Sequence, residues 1–136
     1  PEDLLRPAEC IGQNLFVSAP SLSQAAAVAA FDCYDELDGL VAAYGANRAL
    51  LLEALPKAGF GRLAPADGAF YLYADVSALT NDSAAFCKRM LAETGVAVTP
   101  GLDFDSDRGH RYLRFSFAGR KDDMAEAARR LQAWLG

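Results

Sequence analysis

Two stretches of this sequence alternate hydrophobic with polar side chains, and this pattern constrains the fold more than any other feature. In residues 112–118 the hydrophobic positions are Leu113, Phe115 and Phe117, and the positions between them are Tyr112, Arg114 and Ser116. Residues 69–76 repeat the pattern, with Phe70, Leu72, Ala74 and Val76 on one side and Tyr71, Tyr73 and Asp75 on the other. Successive side chains of a strand point to opposite faces, so both stretches predict half-buried strands over a hydrophobic core.

The rest of the chain alternates between predicted helices and short strands. Residues 2–14 have mixed helical character, and an alanine-rich helix is expected over residues 22–34. Its start is predicted at Ser21, because Ser21 and Gln24 have the spacing of a capping box. A bend is expected over residues 35–39, followed by a second long amphipathic helix that ends near residues 56–59.

Two more helices and two short strands are predicted beyond that point. One helix follows the capping cluster of residues 80–83 and closes at Gly95, and the last helix begins at Lys121. Short strands are expected at residues 61–63 and 96–98. The sequence therefore predicts an α+β fold, in which long N-terminal helices precede a small mixed sheet packed on helices. Residues 1–40 are expected to form a helical segment with little to pack on by itself, and residues 41–136 a small domain.

Length, charge and cysteine usage exclude several classes of protein. A chain of 136 residues, 52% of them hydrophobic, supports one compact unit. A formal net charge of -5 argues against nucleic acid as a partner. No segment has the length and hydrophobicity of a membrane-spanning helix, and the N-terminus lacks the layout of a signal peptide. We therefore expect a soluble cytoplasmic protein with no membrane association, whose three cysteines are reduced.

No metal site is expected from the acidic residues of the chain. Asp103, Asp105 and Asp107 have the spacing that opens a calcium-binding loop. That loop needs glycine at its sixth position and glutamate at its twelfth, where this chain has Arg108 and Arg114. The acidic residues are therefore interpreted as a solvated loop.

Arg114 is the strongest candidate for a binding residue. A planar guanidinium fixed on a strand can bind both oxygens of a carboxylate, which the single ammonium of lysine cannot do. A surface arginine that forms a salt bridge or reaches water remains the alternative from this segment alone.

Three segments together resemble one protein family. Residues 65–71 read PADGAFY, residues 95–101 read GVAVTPG and residues 112–118 read YLRFSFA. In order and spacing they are similar to the C-terminal part of class I/II aminotransferases, which are fold type I pyridoxal-phosphate enzymes of the aspartate aminotransferase family. The chain thus looks like the C-terminal small-domain fragment of such an enzyme, which transfers an amino group between an amino acid and a 2-oxo acid.

The resemblance also implies roles for individual residues. Arg114 matches the arginine that binds the α-carboxylate of the substrate, and Ser18 matches a segment near the neighbouring subunit's active site in the family's homodimers. Thr99, Pro100 and Gly101 match a loop that lines the way to the substrate site, and Phe104 is placed in its apolar wall. The resemblance implies the cofactor pyridoxal 5'-phosphate and a role in amino acid metabolism.

The chain departs from the family pattern in two respects. The cofactor lysine and the phosphate-binding residues are not found in it, so no catalytic residue is expected here and the fragment alone is expected to be inactive. The arginine that some members use for a distal carboxylate would fall near Asn14, which argues against strict use of dicarboxylates. A related pyridoxal-phosphate lyase, a free-standing carboxylate-binding module and a dimerisation piece remain alternatives.

Overall fold

The computed structural model describes all 136 residues and contains five α-helices and three β-strands. The helices are α1 (Glu2–Leu15), α2 (Ser21–Ala30), α3 (Tyr34–Lys57), α4 (Ser83–Thr94) and α5 (Lys121–Leu135). The strands are β1 (Tyr71–Asp75), β2 (Thr99–Pro100) and β3 (Tyr112–Ser116), and two 3-10 turns lie at Gly101–Asp103 and Gly109–Arg111. The α+β class predicted from the sequence is confirmed. None of the helices combines the length and the hydrophobicity that crossing a bilayer requires.

The chain divides into two compact units, Pro1–Gly39 and Leu40–Gly136. In the first unit, neither α1 nor α2 buries any residue. Several large hydrophobic side chains of this unit are exposed, among them Leu15, Phe16, Leu22 and Val28. Exposed apolar surface of this kind is typical of a segment that packs against another protein surface.

The second unit is built on a three-stranded sheet in which β3 is the central strand. The strand order is β1-β3-β2, and both pairings are antiparallel. A mixed sheet was expected, but nothing in a short alternating pattern specifies strand direction. The strand expected at residues 96–98 lies at Thr99–Pro100 instead, and residues 61–63 contribute only an isolated bridge between Leu63 and Ala74.

One face of this sheet forms the core of the unit. Leu72 and Ala74 of β1 and Leu113 of β3 are completely buried, and Phe115 is 5% exposed. Phe115 packs edge-on against Phe60, with ring centroids 5.1 Å apart. The remaining buried hydrophobic residues come from α3, α4, α5 and the loops: Leu51, Leu55, Ala58, Val76, Phe86, Cys87, Met90, Phe117, Ala128 and Leu131. The predicted inward faces of both strands are therefore confirmed, with Phe70 the exception because it precedes β1 and is 46% exposed.

The predicted bend between the two long helices was wrong in position. It lies at residues 31–33, and α3 continues through Gly39 without interruption. Asp35 and Glu36 occupy the first turn of α3, where carboxylates interact favourably with the positive end of the helix dipole. Asp35 and Glu36 therefore mark the start of a helix, and Gly39 is tolerated inside it.

Two predicted helix caps have different outcomes. Asp82 caps α4 by accepting a hydrogen bond from the Ala85 amide at 2.9 Å, and Gly95 ends that helix in a left-handed conformation, as expected. Helix α2 begins at Ser21 as predicted, but no side chain caps it. Gln24 instead donates its amide hydrogen to the carbonyl oxygen of Ala19 at 2.7 Å, so the capping box was the wrong mechanism.

Candidate carboxylate-binding site

Arg114 lies at the middle of the central strand, on the face of the sheet opposite the core. Its position in the register places it beside Tyr73 of β1 and Thr99 of β2. The side chain is half-buried, whereas its strand neighbours Leu113 and Phe115 point into the core. Strands on both sides therefore fix the backbone that carries the guanidinium, which limits how far the group can move.

The guanidinium of Arg114 is held by two aromatic rings and one hydroxyl group. Its central carbon Cζ lies 4.6 Å from the centroid of the Tyr71 ring and 4.4 Å from that of the Phe104 ring. Both distances are within the range of a cation–π interaction. One terminal nitrogen, Nη2, donates a hydrogen bond to Oγ1 of Thr99 at 3.2 Å.

Arg114 forms no salt bridge with any carboxylate of the chain. Two acidic residues, Asp75 at the end of β1 and Asp105 next to Phe104, have other partners. Asp75 pairs with Arg62 at 2.8 Å, and hydrogen bonds from Ser77 hold its pKa below the usual value. Asp105 accepts backbone hydrogen bonds from Arg108 and Asp107, which lower its pKa in the same way. Two aromatic rings therefore orient the guanidinium of Arg114, and no carboxylate of the chain forms a salt bridge with it.

The structure brings together some of the predicted site residues and separates others. Thr99 and Phe104 both contact Arg114. Pro100 pairs with Leu113 in the ladder, and Gly101 is buried beside Tyr73, so these two residues shape the loop. Phe104 also contacts solvent, since it is 56% exposed. Ser18 lies in the first unit, exposed, in the turn after α1.

Sequence reasoning missed Tyr71 and Tyr73 as parts of this site. Both share the polar face of the strand pattern, so the alternation contained a signal for them, but only the strand register shows that they lie beside Arg114. The Tyr73 ring stacks on that of Tyr112, with centroids 4.8 Å apart and an interplanar angle of 2°. Its hydroxyl is buried without a hydrogen-bond partner, and burial, reinforced by Asp105, raises the pKa of Tyr73.

No lysine of the chain has the surroundings that covalent attachment of an aldehyde cofactor needs. Lys57 is exposed and pairs with Glu53 at 2.6 Å, while Lys88 and Lys121 are exposed helix residues. A Schiff-base lysine is a desolvated amine, and these three lysines are exposed to solvent. Burial raises the pKa of the Cys87 thiol to about 11, so this cysteine is not a nucleophile at neutral pH. Arg114 is therefore unpaired and can accept an anion, whereas no lysine present fits covalent attachment of an aldehyde cofactor.

Comparison with known proteins gives a consistent result. The sequence pattern of the family described as "Aminotransferase class I and II" matches residues 8–131. The chain is 52% identical over 137 aligned positions to the valine--pyruvate aminotransferase of Mycobacterium tuberculosis, covering 99% of this chain and 35% of that protein. It is 33% identical to the (5-formylfuran-3-yl)methyl phosphate transaminase of Methanocaldococcus jannaschii, covering 90% and 32% of the two chains.

Solved structures agree with the sequence comparisons. The crystal structure of an aminotransferase from Mycobacterium tuberculosis superposes with a TM-score of 0.85 at 52% identity, covering 99% of this chain and 35% of that one. The chain spans about a third of the length of the relatives it matches. The resemblance drawn from the three sequence motifs is confirmed, and the chain belongs to the class I and II aminotransferase family.

Proposed function

We propose that this chain is the substrate-binding, C-terminal part of a pyridoxal-phosphate-dependent aminotransferase, and that Arg114 binds the α-carboxylate of the amino acid and of the 2-oxo acid. The observation that carries the proposal is the state of Arg114. Its guanidinium is fixed by Tyr71, Phe104 and Thr99, and no carboxylate of the chain neutralises it.

The contacts of Arg114 favour a carboxylate over other ligands. A guanidinium and a carboxylate form two parallel charge-assisted hydrogen bonds, which fix the orientation of the ligand as well as its position. Because the rings and the strand already restrain Arg114, little side-chain entropy is lost when the ligand binds. The Thr99 hydroxyl accepts from Arg114, so its own hydrogen is available to donate to a ligand oxygen.

We infer that the chemistry needs a group from outside these residues. Pyridoxal phosphate, when bound, would supply the electron sink for transfer of the amino group. Its covalent lysine and its phosphate site would be provided by parts of the protein other than these 136 residues. The role of Arg114 is to orient the substrate, a positioning effect that contributes several kcal/mol to well-aligned reactions.

For the substrate we propose an amino acid with an uncharged, apolar side chain. Leu102 and Phe104 next to the site are 43% and 56% exposed and offer an apolar wall. Asp103 and Asp107 are exposed carboxylates of the same loop, so the loop carries negative charge that disfavours a second acid group on a substrate. Asn14 stands where a distal-carboxylate arginine is expected, and the relative at 52% identity is named for valine and pyruvate.

Assembly and location are part of the same proposal. We place residues 1–40 as the helical connection from a large domain and residues 41–136 as the small domain of a cytoplasmic homodimer, with Ser18 close to the neighbouring subunit's site. The exposed hydrophobic side chains of α1 and α2 support this, because they need a surface to pack on.

The experiment replaces Arg114 by lysine in the full-length aminotransferase and measures kcat/KM for several amino acids. Lysine keeps the charge and loses the two-point contact, so we expect a fall of roughly 100-fold for every substrate, since charge-assisted hydrogen bonds contribute about 1.5–3 kcal/mol each. Arg89→Lys is the matched control. Arg89 also lies over two rings, those of Phe86 and Trp134, but on α4. Equal kcat/KM values for Arg114→Lys and Arg89→Lys would show that Arg114 does not bind the substrate carboxylate.

The free-standing carboxylate-binding module remains a second candidate, because the contacts of Arg114 all lie within Leu40–Gly136. The two functions differ in what the 136-residue chain does alone. A module binds acetate or an amino acid tightly by itself, with a Kd in the micromolar range, whereas part of a larger site binds it only weakly. Titration of the chain with acetate, followed by the NMR signals of Arg114, separates them.

A further inference from the structure

The loop that carries Phe104 crosses itself at two glycines, directly beside Tyr73. A methyl group added to Gly109 would lie 2.4 Å from the carbonyl carbon of Gly101, and one added to Gly101 would lie 2.7 Å from the carbonyl oxygen of Gly109. The same methyl group on Gly101 would lie 2.6 Å from the Tyr73 hydroxyl oxygen. The crossing is therefore in close contact with the tip of the Tyr73 side chain.

Tyr73 reaches this crossing as one of two stacked rings. Its ring is stacked face to face on Tyr112 of the central strand. The hydroxyl at its tip is buried, and no polar group of the chain forms a hydrogen bond with it. Packing against Tyr112 and Gly101 determines where the side chain lies.

Gly101 in turn sets the position of Phe104. The backbone amides of Phe104 and Asp105 both donate to the carbonyl oxygen of Gly101, at 2.9 and 3.0 Å. The Gly109 amide donates to Asp105 at 2.9 Å, which closes the loop. The far side of the crossing is held by Ser83, whose hydroxyl donates to the carbonyl oxygen of Gly109 at 2.9 Å. A displacement of Gly101 therefore moves Phe104, and with it one of the two rings that hold Arg114.

We propose that Tyr73 is a positioning residue for the carboxylate site: it supports Gly101 and thereby keeps the Phe104 ring on the guanidinium of Arg114. Tyr73 itself does not touch the substrate. Its effect on catalysis rests on the proposed function of Arg114, whereas its effect on the Arg114 side chain does not.

The first test uses NMR of the 136-residue chain and does not depend on activity. Protons of Arg114 that lie over two aromatic rings are shifted by the ring currents, and Phe104→Leu gives the signal expected when one ring is removed. Tyr73→Leu should move the Arg114 side-chain signals most of the way to those of Phe104→Leu. Tyr73→Phe keeps the stacked ring and should leave them near the wild-type position.

Folding and specificity are controlled in the same spectra. Tyr73 lies on the face opposite the core, so the backbone signals of Leu72 and Leu113 should persist in Tyr73→Leu. Tyr44→Leu removes a half-buried tyrosine of α3 and should leave Arg114 unchanged. Wild-type Arg114 signals in Tyr73→Leu would overturn the proposal, as would an Arg114 signal that does not respond to Phe104→Leu.

The second test uses the full-length aminotransferase. Loss of one cation–π contact corresponds to roughly a tenfold loss of affinity for the substrate. Tyr73→Leu should therefore raise KM for the amino acid about tenfold and change kcat less, whereas Tyr73→Phe should keep KM near the wild-type value. If Arg114→Lys has no effect but Tyr73→Leu still moves the Arg114 signals, the proposed function fails and the positioning role stands. If Arg114→Lys impairs the enzyme and Tyr73→Leu changes neither KM nor the spectrum, the positioning role fails alone.

Discussion

Replacing Asn47 by alanine should destabilise the second unit more than any change to an exposed polar residue. Asn47 of α3 is 1% exposed, and its side-chain amide donates two hydrogen bonds, to the carbonyl oxygens of Phe117 at 3.0 Å and Gly119 at 2.8 Å. These carbonyls follow directly on β3. The two bonds therefore fasten the end of the strand that carries Arg114 to the long helix.

The expected cost follows from what each carbonyl loses. The carbonyl oxygen of Phe117 also accepts from the Gly119 amide at 3.1 Å, so in Asn47→Ala it loses one of two hydrogen bonds, which costs about 0.5–1.5 kcal/mol. The bond to Gly119 is only partly buried, so water can replace the amide at a cost of about 0.5–1.5 kcal/mol. Together with the small cavity left by the side chain, we expect a loss of roughly 2–4 kcal/mol.

The assay is urea unfolding of the 136-residue chain followed by the fluorescence of Trp134. This tryptophan belongs to the second unit, where it packs against Phe86 with ring centroids 5.3 Å apart and donates to Glu93. The matched control is Asn81→Ala, because Asn81 is exposed in the same unit and its side chain makes no hydrogen bond. We expect the control to change the free energy of unfolding by less than about 0.5 kcal/mol. Equal stability of the two variants would refute the argument that these bonds hold the strand end.

Three further predictions use the same unfolding assay. Gly101→Ala should lower the free energy of unfolding by about 1–3 kcal/mol, because the added methyl group would lie within 2.8 Å of atoms of Tyr73, Gly109 and Tyr112. Its control is Gly61→Ala, which should change stability little because nothing lies within 4 Å of the added methyl group. Asp82→Ala should cost about 1 kcal/mol through loss of the α4 cap, and a change equal to that of Asn81→Ala would show that the cap contributes nothing. For Glu126, hydrogen bonds from Arg129 and Arg130 lower the pKa from 4.5 to about 2. A carboxyl whose pKa is lowered by folding stabilises the folded state at pH values above its unfolded pKa, and this stabilisation is lost as the pH falls. The difference in free energy of unfolding between wild type and Glu126→Gln should therefore be present at pH 7 and should shrink between about pH 4.5 and about pH 2. A difference that stays constant over this range contradicts the argument.

Local patterns predicted the elements of the second unit well, because each pattern has a local cause. The alternation of Leu113, Phe115 and Phe117 placed β3 and its buried face correctly, and the capping cluster of residues 80–83 and Gly95 marked both ends of α4. Positions that depend on distant parts of the chain were harder to predict. Strand β2 is two residues long and lies at Thr99–Pro100, where its pairing with Arg114 and Leu113, and not its own hydrophobicity, makes it a strand.

The environment of Arg114 could not be predicted from the sequence for the same reason, because it depends on residues distant in the chain. Its residue type and its place on a strand suggested a carboxylate receptor, but an arginine paired with a nearby aspartate would have had the same sequence pattern. What separates the two is tertiary: Tyr71 reaches the guanidinium across the β1–β3 pairing, and Phe104 reaches it from a loop that closes on Gly101 and Gly109. Asp105, the acidic residue of that loop with the most backbone contacts, is already bound to the amides of Arg108 and Asp107. The loop therefore supplies a ring to Arg114, its Asp105 carboxylate is held by backbone amides, and no carboxylate of the chain forms a salt bridge with the guanidinium.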